Sequence, residues 1–287
     1  AKGGIALLAT ALEAFERSAS AGALGWTVVL NPDEEIGSPC SMGLLAEAAA
    51  EADFGLVFEP CLPDGTMISR RKGSGNFAIV VRGRAAHVGR HFAEGRSAIH
   101  ALAAIVDELA GWNESLPGVV ANTGLVTGGG ALNVVPAFAL ARVNLRVEDR
   151  AQQEEARRRL AALCERVGRE REVEVGVSGD FLSPPKAIDA RMEALMSEVE
   201  RAVKEVGAEI DWRASGGVCD GNKLAAAGLP NVDTMGPQGG EIHSEREYLL
   251  LDSLVPRAQL CATLMHRYAA GAFANPSGFG AGEERRS

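Results

Sequence analysis

The sequence predicts an α/β protein in which a helix-covered, mainly parallel sheet is interrupted by a smaller α+β domain. Two observations lead to this fold class. Early in the chain, helical patterns alternate with short apolar runs, in the order helix 5–20, strand 26–31, helix 43–52 and strand 54–58. Such alternation is typical of a parallel sheet with helices on both faces. After Ser69 the loops become longer and more polar, and the order of the predicted elements changes, which indicates an inserted domain.

The predicted elements divide the chain into domains. The inserted domain covers 71–185 and ends at Pro184-Pro185, and its elements are strand 76–83, helix 97–112, strand 138–147, helix 151–167 and strand 172–177. The main domain is formed by 1–70 and 186–270, and its second part contains helix 189–206, strand 231–235 and helix 249–270. Residues 271–287 are rich in Gly, Ser, Arg and Glu, and we expect a flexible tail there.

Composition and charge exclude several classes of function. The 287 residues include 29 Lys or Arg and 38 Asp or Glu, and the resulting net charge of −9 disfavours nucleic acid or an anionic membrane as a partner. No apolar run approaches the ~20 residues that a transmembrane helix needs. The five cysteines are scattered without a CxxC pair. We therefore expect neither a disulfide framework nor a zinc knuckle, and we expect a cytoplasmic location.

Acidic residues and a histidine follow three predicted strands of the main domain. Glu34-Glu35 follow the first strand, Glu59 follows the second, and His243 comes shortly after the strand at 231–235. In an open α/β sheet, ligands collect beyond the carboxyl ends of the strands. Carboxylate oxygens and an imidazole nitrogen placed there suit zinc, cobalt or manganese. Taken one at a time, the same residues also fit solvated surface loops or, for His243, a helix cap.

Glu34 and Glu35 must lie in a turn if both serve one site, because neighbouring residues of a regular strand point to opposite faces. Pro32 before them and Gly37 after them supply such a turn. Two adjacent glutamates can then divide the chemistry. One binds the metal, and the other takes a proton from a metal-bound water.

Four segments resemble the co-catalytic zinc amidohydrolases, the family of glutamate carboxypeptidase, acetylornithine deacetylase, succinyl-diaminopimelate desuccinylase and aminoacylase. The segments are Asn31-Pro-Asp-Glu-Glu-Ile-Gly-Ser38, Leu132-Asn-Val-Val-Pro136, Ser215-Gly-Gly-Val-Cys-Asp-Gly-Asn222 and Gly239-Gly-Glu-Ile-His-Ser244. The resemblance runs from Lys2 to about Ala270, with the motifs in the family's order. It implies that 1–70 and 186–270 form the catalytic domain and that 71–185 is a lid and dimerisation domain.

The resemblance implies a role for each of the acidic residues. Glu34 would be the general base that activates a bridging water. Glu35 and His243 would ligate one divalent metal ion, and Glu59 would ligate a second one. Zinc is the expected metal, with cobalt or manganese as alternatives.

The resemblance also implies contacts with the substrate. His87 resembles a lid histidine that reaches the active site of the partner subunit and polarises the scissile carbonyl, although a structural histidine at a strand end would look the same. Asn133 and Arg146 match positions that contact the substrate; Arg146 would otherwise be a polar residue on the solvent face of its strand. Gly216-Gly217 would line the pocket with backbone, although a plain turn has the same sequence.

Two departures from the family pattern affect this interpretation. In the family, a His-x-Asp segment and a bridging Asp precede the Lys-Gly-Gly at the start of this chain, and Ala1 opens directly into a helical pattern without a Met or a signal peptide. We therefore expect a fragment with incomplete metal occupancy and impaired hydrolysis. Ser183 stands where relatives often carry an Arg that binds the substrate carboxylate, and Lys186 is the residue that could compensate.

Three hypotheses about function follow. The first is a metal-dependent hydrolase of amide or peptide bonds in N-acyl amino acids or small peptides, which pairs as a homodimer through the lid domain. The second is a non-catalytic remnant that dimerises or binds ligand without turnover. The third is an aminopeptidase on di- or tripeptides, which would require a free substrate amine.

Overall fold

The computed structural model describes residues 2–273 and divides into two compact units. The inserted unit is Lys72–Pro185, and the discontinuous unit is formed by the chain before and after it. The helices and strands confirm the predicted α/β fold class with an inserted α+β domain. Residues 274–287, most of the predicted flexible tail, lie outside the described residues.

Eight helices and ten strands make up the described chain. The helices are α1 (Lys2–Glu16), α2 (Met42–Glu51), α3 (Val88–His91), α4 (Ala98–Ser115), α5 (Arg150–Arg171), α6 (Ala190–Glu205), α7 (Asp220–Ala226) and α8 (Leu254–Ala269). The strands are β1 (Gly55–Leu56), β2 (Met67–Arg71), β3 (Gly73–Arg82), β4 (Val120–Gly128), β5 (Phe138–Val147), β6 (Glu174–Ser183), β7 (Trp212–Ser215), β8 (Asn231–Val232), β9 (Gly239–Gly240) and β10 (Tyr248–Leu249). Within the described residues, no helix combines the length and the apolar character needed to cross a membrane.

Three helices surround the core of the discontinuous unit. On α1, Leu7, Ala11 and Phe15 recur every four residues, so they lie on one helical face, and all three are buried. They belong to the same core as Leu195 of α6 and Leu264 of α8. β1 pairs in parallel with β8, and β2 pairs in parallel with β7, so the loops that follow the two strands of a pair leave from the same edge.

The predicted strand at 26–31 is wrong. The segment has no regular secondary structure and pairs with no strand among the described residues. Trp26, Val28 and Leu30 are exposed by 38%, 49% and 65%. A strand needs a hydrogen-bonded neighbour, and an apolar run does not reveal whether a neighbour is present. Trp26 packs instead edge-on against Phe15, with the ring centroids 5.1 Å apart.

The inserted unit is a four-stranded antiparallel sheet with α4 and α5 packed against it. The strand order is β4-β5-β3-β6. The pairs Phe138↔Arg82 and Val147↔Gly73 fix the register of β5 against β3. Alternate residues of β5 are buried and share a core with the apolar faces of α4 and α5, as period-two alternation requires. Ser97 begins α4 by accepting a hydrogen bond from the His100 amide.

Candidate active site

The Glu34-Glu35 pair lies in a turn, as one shared site requires. Residues Glu34–Ile36 form one turn of 3₁₀ helix, and Gly37 ends it with a left-handed φ of 94°. The side chain of Asp33 holds the turn closed: its carboxylate accepts hydrogen bonds from the Ser41 hydroxyl at 2.5 Å and the Cys40 amide at 2.8 Å. The hydroxyl bond in particular lowers the pKa of Asp33. Asp33 is therefore a structural residue of this turn.

Glu35 and His243 meet directly. The Oε2 atom of Glu35 lies 3.1 Å from Nε2 of His243, and both side chains are more than two-thirds exposed, at 73% and 72%. His243 reaches this position from the loop after β9, where Ser244 donates to the Glu241 carbonyl at 2.7 Å and so closes the loop. The structure therefore places a carboxylate oxygen and an imidazole nitrogen in contact at a solvent-exposed position.

Burial and nearby charges raise the pKa of both Glu34 and Glu59. Partial burial, followed by repulsion from the Glu59 and Asp220 carboxylates, raises the pKa of Glu34 to about 7. Burial also raises the pKa of Glu59, while the positive charge of Arg71 opposes the rise. Repulsion from Glu35 contributes at both residues. The charges of Glu35 and Glu59 thus both contribute to the raised pKa of Glu34, which is suited to exchanging protons near neutral pH.

Backbone strain concentrates in the loops of this region. Four of the five described non-glycine residues with a left-handed φ lie in the discontinuous unit: Ser38, Thr234, Glu241 and His243. Such conformations cost about 1–3 kcal/mol each and persist only where the surrounding structure enforces them. Strain at His243 itself indicates that its position is imposed by the loop.

The Gly216-Gly217 segment follows β7 as an exposed loop. The Gly217 amide donates to Ser215 Oγ at 3.1 Å, and the Gly217 carbonyl accepts from Arg71 Nη1 at 3.3 Å. A Cβ at Gly216 would meet nothing within 4 Å, and neither glycine has a positive φ. Neither space nor backbone conformation therefore explains a glycine at 216.

The predicted substrate residues of the inserted unit lie at two opposite ends of its sheet. His87 and Asn133 are neighbours, because the Val88 amide donates to the Asn133 carbonyl at 2.9 Å, and both side chains are exposed. Arg146 pairs with Ser74 at the start of β3, eight residues along β5 from Phe138, which is about 27 Å at the usual rise per residue. Within this unit, Arg146 is thus not brought to His87 and Asn133.

The sequence analysis missed a buried ionic cluster next to the carboxylates. Asp233 is fully buried and accepts from Arg71 through Nε at 2.9 Å and Nη2 at 2.8 Å, and from Lys186 Nζ at 2.7 Å. A signal for it was available: a carboxylate inside the apolar strand predicted at 231–235 needs a buried partner. The expectation that Lys186 compensates for Ser183 is wrong, because Lys186 is fully buried and its ammonium is held by Asp233.

A second buried carboxylate was also missed. Asp220 accepts hydrogen bonds from Asn31 at 2.7 Å, from Ser38 at 2.6 Å and from Lys223 at 2.9 Å. It ties the loop that carries Glu34 to the start of α7. Its partners occupy both carboxylate oxygens, so Asp220 serves as an anchor of the site.

The described residues offer the kinds of donor atom that a divalent metal ion needs, but too few of them. Glu35 and His243 provide the oxygen and nitrogen donors that zinc, cobalt or manganese accept. A catalytic zinc site has three protein ligands, and residues 2–273 hold no group of three His, Cys, Asp or Glu side chains arranged to bind a metal ion. Within the described chain, Glu35 and His243 therefore offer two donor atoms in contact, one fewer than a catalytic zinc site uses.

Comparison with known proteins decides the family. Residues 69–172 match the M20 peptidase dimerisation domain. A succinyl-diaminopimelate desuccinylase from Bordetella petrii is 30% identical over 270 residues, which cover 89% of this chain and 69% of the relative. This chain belongs to the M20 family. Another M20 relative, the desuccinylase of Bordetella parapertussis, is 29% identical over 223 residues, which cover 74% of this chain and 56% of the relative.

Solved structures show the same M20 fold. Aminopeptidase PepT from Bacillus cereus superposes with a TM-score of 0.68 at 20% identity, over 80% of this chain and 62% of its own. A dinuclear metal-binding peptidase of the M20 family from Bacillus subtilis gives a TM-score of 0.63 at 19% identity, over 84% of this chain and 63% of its own. This chain thus spans less than two thirds of the length of both solved proteins and of the Bordetella parapertussis relative.

Proposed function

We propose that this M20 protein hydrolyses amide or peptide bonds in N-acyl amino acids or small peptides in a metal-dependent reaction. The observation that supports this most directly is the contact of 3.1 Å between Glu35 and His243, one residue from a half-buried Glu34 with a pKa of about 7. Metal donors adjacent to a group that exchanges protons at neutral pH are what hydrolysis of an unactivated amide needs.

The proposed roles follow from the position of each side chain. Glu35 and His243 would hold one divalent ion, for which zinc is the expected metal, and Glu59 would hold a second. Their metal ions would supply Lewis-acid chemistry, which activates water and polarises a substrate carbonyl. Glu34 accepts the proton of the attacking water on its carboxylate and passes it to the leaving amine. Its partial burial supports this role, because burial brings its pKa close to the working pH.

We propose that His87 stabilises the developing oxyanion in the active site of a second copy of the chain. The Nδ1 atom of His87 accepts a hydrogen bond from the Gly89 amide at 3.2 Å. In neutral histidine the proton then lies on Nε2, which becomes the donor. An exposed imidazole with a donating Nε2 suits the polarisation of a carbonyl oxygen.

Asn133, Arg146 and the Gly216-Gly217 backbone are the proposed substrate contacts. Because Lys186 is buried against Asp233, recognition of a substrate carboxylate falls to Arg146. Its guanidinium is half-buried, and its Nε donates to Asn144 Oδ1 at 2.9 Å. Arginine binds a carboxylate through two parallel hydrogen bonds, so we expect a substrate with a free carboxylate.

We propose that the chain forms a homodimer through the inserted unit. The outer strand β4 supports this, since its nine residues include no charged side chain, and Leu125 and Val126 are exposed by 46% and 57%. The opposite outer strand, β6, carries Glu174 and Asp180. Exposed edges of soluble monomers are usually protected by charges, so β4 suits antiparallel pairing with β4 of a second copy.

Charge at the β4 edge tests the dimer. Val126→Lys should convert a dimer into a monomer in analytical ultracentrifugation, because a buried ammonium would oppose pairing of the two edges. Ser178→Lys, on the exposed part of β6, is the matched control and should leave the mass unchanged. A dimer that survives Val126→Lys, or a monomeric parent protein, would contradict the proposed surface.

We also propose a cytoplasmic location. All five cysteines are free thiols, and four of them are buried. Free thiols persist in a reducing compartment.

Hydrolysis itself is tested with the chain supplied with Zn²⁺ and a panel of N-succinyl amino acids, N-acetyl amino acids, dipeptides and tripeptides. We expect turnover above the background of free Zn²⁺, and a loss of about 100-fold or more in Glu34→Gln. Glu47→Gln, an exposed glutamate on α2, is the matched control. Turnover confined to substrates with a free amine would favour an aminopeptidase, and binding without turnover would favour the non-catalytic alternative.

A further inference from the structure

The two connections to the inserted unit leave the discontinuous unit side by side. The chain departs after Arg71 and returns at Lys186. The Arg71 amide donates to the Lys186 carbonyl at 3.0 Å, and the Lys186 amide donates to the Arg71 carbonyl at 3.0 Å. The last residue before the insertion and the first residue after it are therefore joined by a reciprocal pair of backbone hydrogen bonds.

The side chains of the same two residues converge on one carboxylate. Arg71 binds both oxygens of Asp233, at 2.9 and 2.8 Å, and Lys186 binds Oδ2 at 2.7 Å. Asp233 and Lys186 are fully buried, and Arg71 is 9% exposed. Asp233 itself follows β8, so it belongs to the framework of the discontinuous unit and not to either connection.

Arg71 also connects this ionic cluster to the Gly216-Gly217 loop. Its Nη1 atom, which is not used by Asp233, donates to the Gly217 carbonyl at 3.3 Å. The Arg71 guanidinium thus contacts both the buried Asp233 carboxylate and the Gly216-Gly217 loop. The Arg71 backbone is hydrogen-bonded to Lys186, where the chain returns from the inserted unit. Lys186, the other residue that donates to Asp233, binds the carboxylate through Nζ alone.

Stability alone does not account for such a cluster. Replacing a buried ion pair by apolar side chains of similar volume is often neutral or even stabilising. A bidentate arginine and a lysine on one carboxylate do, however, fix direction and distance, which apolar packing does not. The cluster is located where both connections meet, which is where fixed geometry has the largest consequence.

We propose that Asp233 is a positioning residue that clamps both connections of the inserted unit and couples them to the Gly216-Gly217 loop. With Arg71 and Lys186 held, movement of the inserted unit is restricted to Lys72 and Pro185, the residues just beyond the clamp. The proposal concerns geometry, so it stands or falls independently of the proposed hydrolysis.

The test is the distribution of distances between one spin label on each unit. Cys40 is the exposed cysteine, and the other four are buried, so Cys40 and an introduced Glu114→Cys on α4 provide the two sites. Labelled chains are diluted in unlabelled chains, and the distance distribution is measured by double electron–electron resonance. We expect Asp233→Asn to broaden the distribution at least twofold. Hydrogen exchange of the Gly217 amide should accelerate about tenfold in the same variant.

The matched control is Glu198→Gln. Glu198 is also buried in the discontinuous unit and binds Arg267 at 2.8 Å and Arg201 at 2.5 Å, and these two arginines lie on α8 and α6, outside both connections. Glu198→Gln should lower stability without broadening the distance distribution or accelerating hydrogen exchange of the Gly217 amide. Equal broadening in Glu198→Gln would reduce Asp233 to a structural role and overturn the proposal.

A second variant keeps the proposal testable if Asp233→Asn does not fold. Lys186→Met removes one of the three hydrogen bonds and leaves the neutral Arg71–Asp233 pair intact. We expect it to broaden the distribution while the exchange of Gly217 stays unchanged, because Arg71 still contacts both groups. A distribution as narrow as that of the parent chain would contradict the clamp.

Discussion

The discontinuous unit contains two groups of acidic and basic side chains that differ in burial and in completeness. Glu35 and His243 contact each other at 3.1 Å while more than two-thirds exposed. Asp233, by contrast, is fully buried, and its carboxylate accepts three hydrogen bonds from Arg71 and Lys186. A buried charge must be satisfied by the protein itself, so the second group fixes architecture. The exposed pair keeps its coordinating capacity for a ligand from solution.

The largest expected difference between the two groups is in folding stability. Asp233→Asn leaves two buried cations without a counter-charge and should lower the free energy of unfolding by about 3–5 kcal/mol. Glu35→Gln removes an exposed contact and should change it by less than about 0.5 kcal/mol. Urea unfolding monitored by tryptophan fluorescence measures both. Similar losses of unfolding free energy in the two variants would show that the two groups do not differ in their contribution to stability.

For metal affinity, in contrast to folding stability, the exposed Glu35–His243 pair should be the more sensitive group. We expect Glu35→Gln and His243→Ala each to weaken Zn²⁺ binding about 10- to 100-fold, because each removes one of two donors. Competition against a chromophoric chelator measures the affinity. Asp64→Asn, which alters an exposed carboxylate of the same unit, is the control and should bind Zn²⁺ like the parent chain. An unchanged affinity in both site variants would show that the pair is not a metal site.

Two glycines sharpen the contrast at the level of packing. A Cβ at Gly221 would lie 2.8 Å from Asn231 Oδ1 and 3.3 Å from Asp233 Oδ2, so Gly221→Ala should cost about 1–3 kcal/mol by overpacking. A Cβ at Gly216 would meet nothing, and Gly216→Ala should be neutral or stabilise by up to about 1 kcal/mol. Thermal denaturation of the two variants is the measurement. A costly Gly216→Ala would indicate a contact that the loop makes elsewhere.

A further expected difference is the pH dependence of folding stability that arises from Glu34. Its pKa is raised from 4.5 to about 7 in the folded chain, so the folded state binds the proton more tightly than the unfolded state. The folding stability contributed by this group is therefore full below about pH 4.5 and is lost as the pH rises through about 7. Stability curves of the parent chain and Glu34→Gln should diverge over that window. Parallel curves would contradict the raised pKa, and bound Zn²⁺ must be removed before the measurement.

Elements with a strong local pattern were predictable. The strand Phe138–Val147 coincides with the predicted strand 138–147. The ends of helices α4, α5 and α6 lie within about four residues of the predicted helix ends. Period-two burial and amphipathic helix faces are properties of a short segment. Strands β2, β4 and β7 were missed, because their residues carry no apolar alternation that marks them in isolation.

The candidate site was predictable in part. Glu35 and His243 are in contact, and the charge of Glu59 contributes to the raised pKa of Glu34, but convergence of all four residues on a metal ion stays a prediction. The roles of these residues, and of His87, Asn133, Arg146, Gly216 and Gly217, stay predictions. The buried roles of Asp220 and Asp233 were not predicted. The residues next to each aspartate in the sequence do not indicate which distant side chains bind it.

The sequence by itself determined the fold class, the helices with one apolar face and the turn that carries Glu34 and Glu35, since these depend on residues within a few positions of one another. Only the tertiary structure decided that 26–31 stays unpaired and that Lys186 turns inward. The partners of Asp233 lie 162 residues away at Arg71 and 47 residues away at Lys186. Which charge is buried against which is therefore set by the folded topology, because desolvation and hydrogen bonding act on neighbours in space.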